Sequence, residues 1–70
     1  MKRIILFKDQ GNGFYSTREV DGKTIITSTI SASTGKKMVD DALRDFPRSS
    51  FRSGKIKETG QKILELTIRD

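Results

Sequence analysis

From Ser33 to Pro47 the apolar positions recur with a helical period. Met38, Val39, Ala42, Leu43 and Phe46 stand at offsets 0, +1, +4, +5 and +8, which is one stripe of a helix with about 3.6 residues per turn. The opposite face carries Lys36, Lys37, Asp40, Asp41, Arg44 and Asp45. Ser33 or Thr34 is suited to accept from the free N–H groups of the first turn. Pro47 ends the helix, because the residue before a proline is pushed out of the α region.

The remaining segments alternate or run apolar over short lengths, as strands do. Residues 2–8 (KRIILFK) are a four-residue apolar run with basic ends, read as a buried strand. Residues 14–20 (FYSTREV) and 23–31 (KTIITSTIS) flank Asp21-Gly22, a pair suited to a type I′ hairpin turn. With those two as loop residues, Val20 lies opposite Lys23, Arg18 opposite Ile25 and Thr17 opposite Ile26. Neither face of this hairpin is cleanly apolar. Tyr15, Ile26 and Ile30 are expected to meet the helix, and Phe14, Val20 and Ile25 to stay half exposed on the other side. Residues 50–58 (SFRSGKIKE) form a fourth strand, with Gly54 as a candidate bulge. Residues 62–69 (KILELTIR) form the fifth, with Leu64, Leu66 and Ile68 on one side.

The order is strand-strand-strand-helix-strand-strand. It predicts one α+β domain over residues 1–70: a single, mostly antiparallel sheet of four or five strands with one helix on one face. The expected core is Ile4, Leu6, Ile26, Ile30, Met38, Val39, Ala42, Leu43, Phe46, Leu64, Leu66 and Ile68.

Composition narrows the chemistry. The chain has 70 residues with no cysteine and no histidine. Neither a disulfide nor a thiolate metal site can staple so small a domain, and oligomerisation is a natural remedy. A homodimer would pair through an edge strand or through Phe14, Val20 and Ile25. The usual general base, thiol nucleophile and zinc ligands are missing, so no catalytic residue, metal or cofactor is expected. Ser49 or Ser50 with Lys55 lacks the strained elbow and oxyanion hole of a Ser–Lys dyad. Asp41 and Asp45 lie beside Arg44 and Lys37 and read as surface. No apolar run approaches the roughly 18 residues that cross a bilayer. The apolar run in MKRIILFKD is too short for a signal peptide, so a cytoplasmic location is expected.

The net charge of +5 is unevenly spread along the chain. From Arg48 to Lys57 there are four basic residues, Arg48, Arg52, Lys55 and Lys57, and no acid. Serines and Phe51 interleave with them. Such residues can hold phosphates and stack on a base. The same residues can equally form a solvated loop and an edge strand on which lysine blocks aggregation. Thr34-Gly35-Lys36-Lys37 opens the helix, where free N–H groups and two lysines suit an anion or an ordinary cap. It is no phosphate-binding P-loop, since Ile30 stands where that motif needs its first glycine. Gly11-Asn12-Gly13 reads as a turn.

Two likenesses follow from particular residues. Leu6-Phe7-Lys8-Asp9, Gly13-Phe14-Tyr15 and Asp21-Gly22-Lys23 with Ile25-Ile26-Thr27-Ser28 resemble the YegP-like family of small strand-strand-strand-helix proteins. That resemblance spans residues 4–40 and implies the same fold but no site. The helix departs from the family pattern at Met38 and Val39, where small residues are usual. Lys36-Lys37 followed by Ala42 and Leu43 resembles the phosphate-contacting helix start of double-stranded RNA-binding domains. The first and last helices of those domains have no counterpart here.

The expected function is a small non-enzymatic module that binds the phosphate backbone of nucleic acid. Arg48, Arg52, Lys55 and Lys57 would contact phosphates, Phe51 would stack, and Lys36 and Lys37 would extend the basic surface. The alternative is a small regulator or inhibitor, of the kind phages make, that docks on an acidic protein surface. Neither reading involves a membrane.

Overall fold

The computed structural model describes residues 2–70. Five strands and one helix follow in the expected order: β1 (Lys2–Asp9), β2 (Phe14–Asp21), β3 (Thr24–Ser31), α1 (Ala32–Asp45), β4 (Ser50–Lys55) and β5 (Lys62–Arg69). They form one antiparallel sheet in the order β3-β2-β1-β5-β4, with α1 on one face. The α+β class is as expected. The chain's first strand is the middle of the sheet, and β3 and β4 are its edges.

The core lies between the helix and the centre of the sheet: Ile5, Phe7, Val39, Ala42, Leu66 and Ile68 are buried, with Tyr15, Ile30, Met38 and Leu64 packed around them. This corrects the expected parity of β1. Ile5 and Phe7, not Ile4 and Leu6, point under the helix. Four consecutive apolar residues carry no period-2 signal, so only pairing decides the face. Ile5 lies across from Leu66, and Phe7 lies between Thr17 and Leu64. Phe7 fits because the helix comes close at Gly35. A Cβ there would stand 3.8 Å from the Phe7 ring and 3.5 Å from both Tyr15 and Ile30.

The helical stripe is narrower than the sequence suggests. Its centre line is Gly35, Val39 and Ala42. Leu43 and Phe46 flank that line and remain over a third exposed. Ile26 is on the helix side, across from Glu19, but it stands on an edge strand beyond the helix and is 53% exposed.

Three local features differ from expectation. The N-cap is Ser31, whose Oγ accepts from the Thr34 amide at 3.2 Å. The helix begins early because β3 runs straight into it. The Ala32 amide is already bound to the Gly13 carbonyl at 2.8 Å, which ties the helix start to the first hairpin. The β2–β3 loop is Gly22-Lys23, with Asp21 across from Thr24 and Val20 across from Ile25. Gly22 has φ +62°, the sign that the first central position of a type II′ turn requires. The pairing is thus displaced by two residues. An even displacement keeps every side chain on its face, so the expected faces stand while the partners change. Finally, β4 stops at Lys55 and carries no bulge: Ser50–Lys55 pairs without a break against Lys62–Thr67. Ile56, Lys57 and Glu58 belong to the turn closed by Ile56 N–H to Gln61 O and Gly60 N–H to Ile56 O.

No helix among the described residues is long and apolar enough to cross a membrane.

Candidate polyanion-binding face

Strand alternation sends the even-numbered residues of β1 away from the helix, and the pairing carries the same parity rule across the sheet. The uncovered face is therefore a grid. One row runs Thr27, Arg18, Leu6, Glu65, Arg52. The row beside it runs Thr29, Ser16, Lys8, Ile63, Gly54, and the row on the other side runs Ile25, Val20, Ile4, Thr67, Ser50. Lys2 and Arg69 pair at the far end.

Five cations from four strands, Lys2, Lys8, Arg18, Arg52 and Arg69, thus share a face with one carboxylate, Glu65. Four of the chain's five net positive charges lie there. The helix and the helix side of the sheet are internally balanced. Two shallow depressions flank Leu6. One, of about 360 Å³, is lined by Lys8, Ser16, Arg18, Thr27 and Thr29, a set of cations and hydroxyls. The other, of about 250 Å³, is lined by Arg52, Gly54, Ile63 and Glu65.

The ion pairs lie elsewhere. On the helix side, Arg3 donates to Glu19 at 2.7 Å, and this bond holds the Arg3 pKa above its ordinary value. On the helix surface, Arg44 donates to Asp45 at 3.1 Å and lies 3.3 Å from Asp41, and the Asp45 bond likewise raises its pKa. Among the described residues, no open-face cation takes part in an ion pair. Five cations against the single carboxylate of Glu65 leave this face with an excess of positive charge, which favours an anion.

The basic segment read from the sequence is divided by this geometry. Arg52 is on the open face, across from Glu65. Phe51 points the other way, across from Leu66, and is 40% exposed. Lys55 shares the Phe51 side at the end of β4, and Arg48 and Lys57 sit in exposed connections. The fold brings Phe51 together with Lys36 instead: both line a groove of about 450 Å³ between α1 and β4–β5, with Tyr15, Gly35, Lys62 and Leu64. Asp40 places a carboxylate in the same groove. Lys37 stands apart on the exposed helix surface.

Lys2, Lys8, Arg18 and Arg69 escape a reading of the sequence by segments. The signal that finds them is parity, since Arg18 already shares a hairpin face with Phe14, Val20 and Ile25.

Compared with protein-family models, curated proteins and solved structures, the chain matches none.

Proposed function

We propose that the protein is a non-enzymatic module that binds nucleic acid, with the uncovered face of its sheet laid against phosphates. The observation that carries this reading is the gathering on one face of five cations that have no ion-pair partner among the described residues. Arg18 and Lys8, with the hydroxyls of Ser16, Thr27 and Thr29, would hold one stretch of backbone. Arg52 would hold another, about three strand spacings or 14 Å away. Serine and threonine hydroxyls donate to phosphate oxygens. The resemblance to the YegP-like family remains a proposed kinship of residues 4–40 and contributes no site.

A second reading has its own support. The side chains between the cations are aliphatic: Ile4, Leu6, Val20 and Ile25. Phe14, the aromatic ring on this face, stands at the corner where β2 begins. A face with no ring at its centre offers little to stack a base on, but suits an acidic protein surface.

Fluorescence anisotropy with labelled single- and double-stranded DNA and RNA separates the two. Nucleic-acid binding is expected to tighten as salt falls. Arg18→Ala, Lys8→Ala and Arg52→Ala should each weaken it, and each should flatten the log–log salt dependence by about 0.7 to 0.9, the share of one neutralised phosphate. Lys37→Ala, on the opposite side of the molecule, should change little. Absence of binding at low salt to every probe rejects the nucleic-acid reading. Partner capture that survives nuclease and fails in Arg18→Ala would then favour the acidic protein.

A further inference from the structure

The two edges of the sheet are built differently. β4 is six residues long and carries Arg52, Gly54 and Lys55, the short length and charge that keep an edge from pairing. β3 is eight residues long, Thr24–Ser31, with three Ile, three Thr, two Ser and no charged residue or proline. One residue in three of the whole chain is charged, so an uncharged edge strand of this length stands out. Its first six residues are exposed, and Ile25 and Ile26 are each 53% exposed on opposite faces. Thr17 secures it from within, its hydroxyl lying 2.8 Å from the Ser28 hydroxyl.

We infer that β3 is an interface for a second copy of this chain, paired antiparallel edge to edge about a two-fold axis at Thr27. The backbone direction supports this register. Asp21 and Thr24 close a two-residue loop and so exchange both hydrogen bonds. Alternation then turns the N–H and C=O groups of Thr24, Ile26, Ser28 and Ile30 toward β2. Those of Ile25, Thr27 and Thr29 point outward, free to pair. Set about Thr27, each copy places Thr27 across from Thr27, and Ile25 across from Thr29. Threonine–threonine and β-branched pairs of this kind are favourable across strands.

Charge selects this occupant. An uncharged strand meets its own copy with no like charges opposed. The nearest cation in that row, Arg18, is one strand further in. The two Arg18 side chains would be about three strand spacings, or 14 Å, apart, beyond the screening length at physiological salt. Pairing β3 with β3 uses up both unguarded edges and leaves the two β4 edges outside, so the assembly closes as a dimer and does not extend into a filament. A two-fold axis normal to the sheet keeps both uncovered faces on the same side, making one ten-stranded surface.

The test is sedimentation equilibrium without nucleic acid, so the result does not depend on the proposed function. The expected result is a reversible dimer that tightens as salt rises from about 50 to about 500 mM, since salt screens the repulsion between two basic chains. Thr27→Pro removes an outward N–H and no bond to β2, so the sheet signature in circular dichroism should persist. Dimerisation should weaken at least about tenfold. Because the chain has no cysteine, Thr27→Cys supplies a positive test. Two copies in this register stand within disulfide reach and should cross-link on mild oxidation, while Ser53→Cys on β4 should not. A chain that stays monomeric to about 1 mM, leaving β3 to an extended segment of some other protein, overturns the inference. So does a dimer that persists in folded Thr27→Pro, a preference for Ser53→Cys cross-links, or growth into polymers.

Discussion

The two faces of the sheet draw on the same strands and come out as opposite surfaces. Under the helix, Ile5, Phe7, Leu66 and Ile68 are almost entirely withdrawn from solvent, and the charged pair at the margin, Arg3 and Glu19, satisfies itself at 2.7 Å. On the uncovered face, one step along β1 and β5, Ile4, Leu6 and Glu65 are half-buried while Thr67 is buried, and among the described residues the cations around them take no ion-pair partner. The covered face supplies stability by removing apolar area from water. The uncovered face contributes little of that and carries nearly all the net charge. A small domain with a narrow stability margin can hold a concentrated field only on a surface that its core does not need.

Neighbouring residues on β1 give the largest expected contrast. Phe7→Ala removes a ring that is 0% exposed and should cost about 3 to 5 kcal/mol, enough to unfold much of the population. Leu6→Ala, one residue away on the other face, should cost well under half as much. Urea titrations of both variants measure this, and equal midpoints would mean that both faces of β1 contribute alike to stability.

A smaller loss is expected at the junction of strand and helix. Ser31→Ala deletes the hydroxyl that caps the first turn and should lower stability by about 1 kcal/mol. Ser33→Ala should do markedly less, because its hydroxyl does not receive the Thr34 amide. Thermal melts that rank the two in reverse would place the cap at Ser33, which with Thr34 is where the helical pattern alone suggests it.

At Gly35 the expected sign is a gain. The neighbours awaiting a Cβ, 3.5 to 3.8 Å away on Ile30, Tyr15 and Phe7, stand at ordinary van der Waals distances. Alanine is also favoured over glycine inside a helix by about 0.5 to 1 kcal/mol. Gly35→Ala should therefore raise the urea midpoint, whereas Gly35→Leu should lower it by overfilling the same space. A loss with alanine would show that helix and sheet already touch more tightly than those distances allow.

The smallest expected effect on stability belongs to the open-face cations. Arg18→Ala and Arg52→Ala should each shift folding by no more than about 0.5 kcal/mol, as surface changes do. The same variants should weaken polyanion binding clearly. If they unfold the protein instead, the cations are structural and the division of labour between the faces fails.

Much of this fold is legible in the chain. Residues 38–46 announce a helix because apolar groups at helical spacing have one way to leave water together. Leu64, Leu66 and Ile68 announce a strand and its buried side by alternation. Tyr15 and Ile30 are correctly assigned to the helix side, and the element order yields the α+β sheet. Parity of β1 was not legible, because Ile4-Ile5-Leu6-Phe7 is apolar at every position. The cap at Ser31 and the Gly22-Lys23 loop depend on where strands stop, which pairing partners settle. The candidate site was the least legible part. Arg52 and Phe51 are adjacent in sequence and point to opposite faces, while Lys2 and Arg69 are distant in sequence and face one another across β1 and β5. Local pattern by itself determined the elements, since period and turn chemistry act over a few residues. Only the tertiary structure decided which charges stand together, because a sheet joins side chains by register between strands and not by their order along the chain.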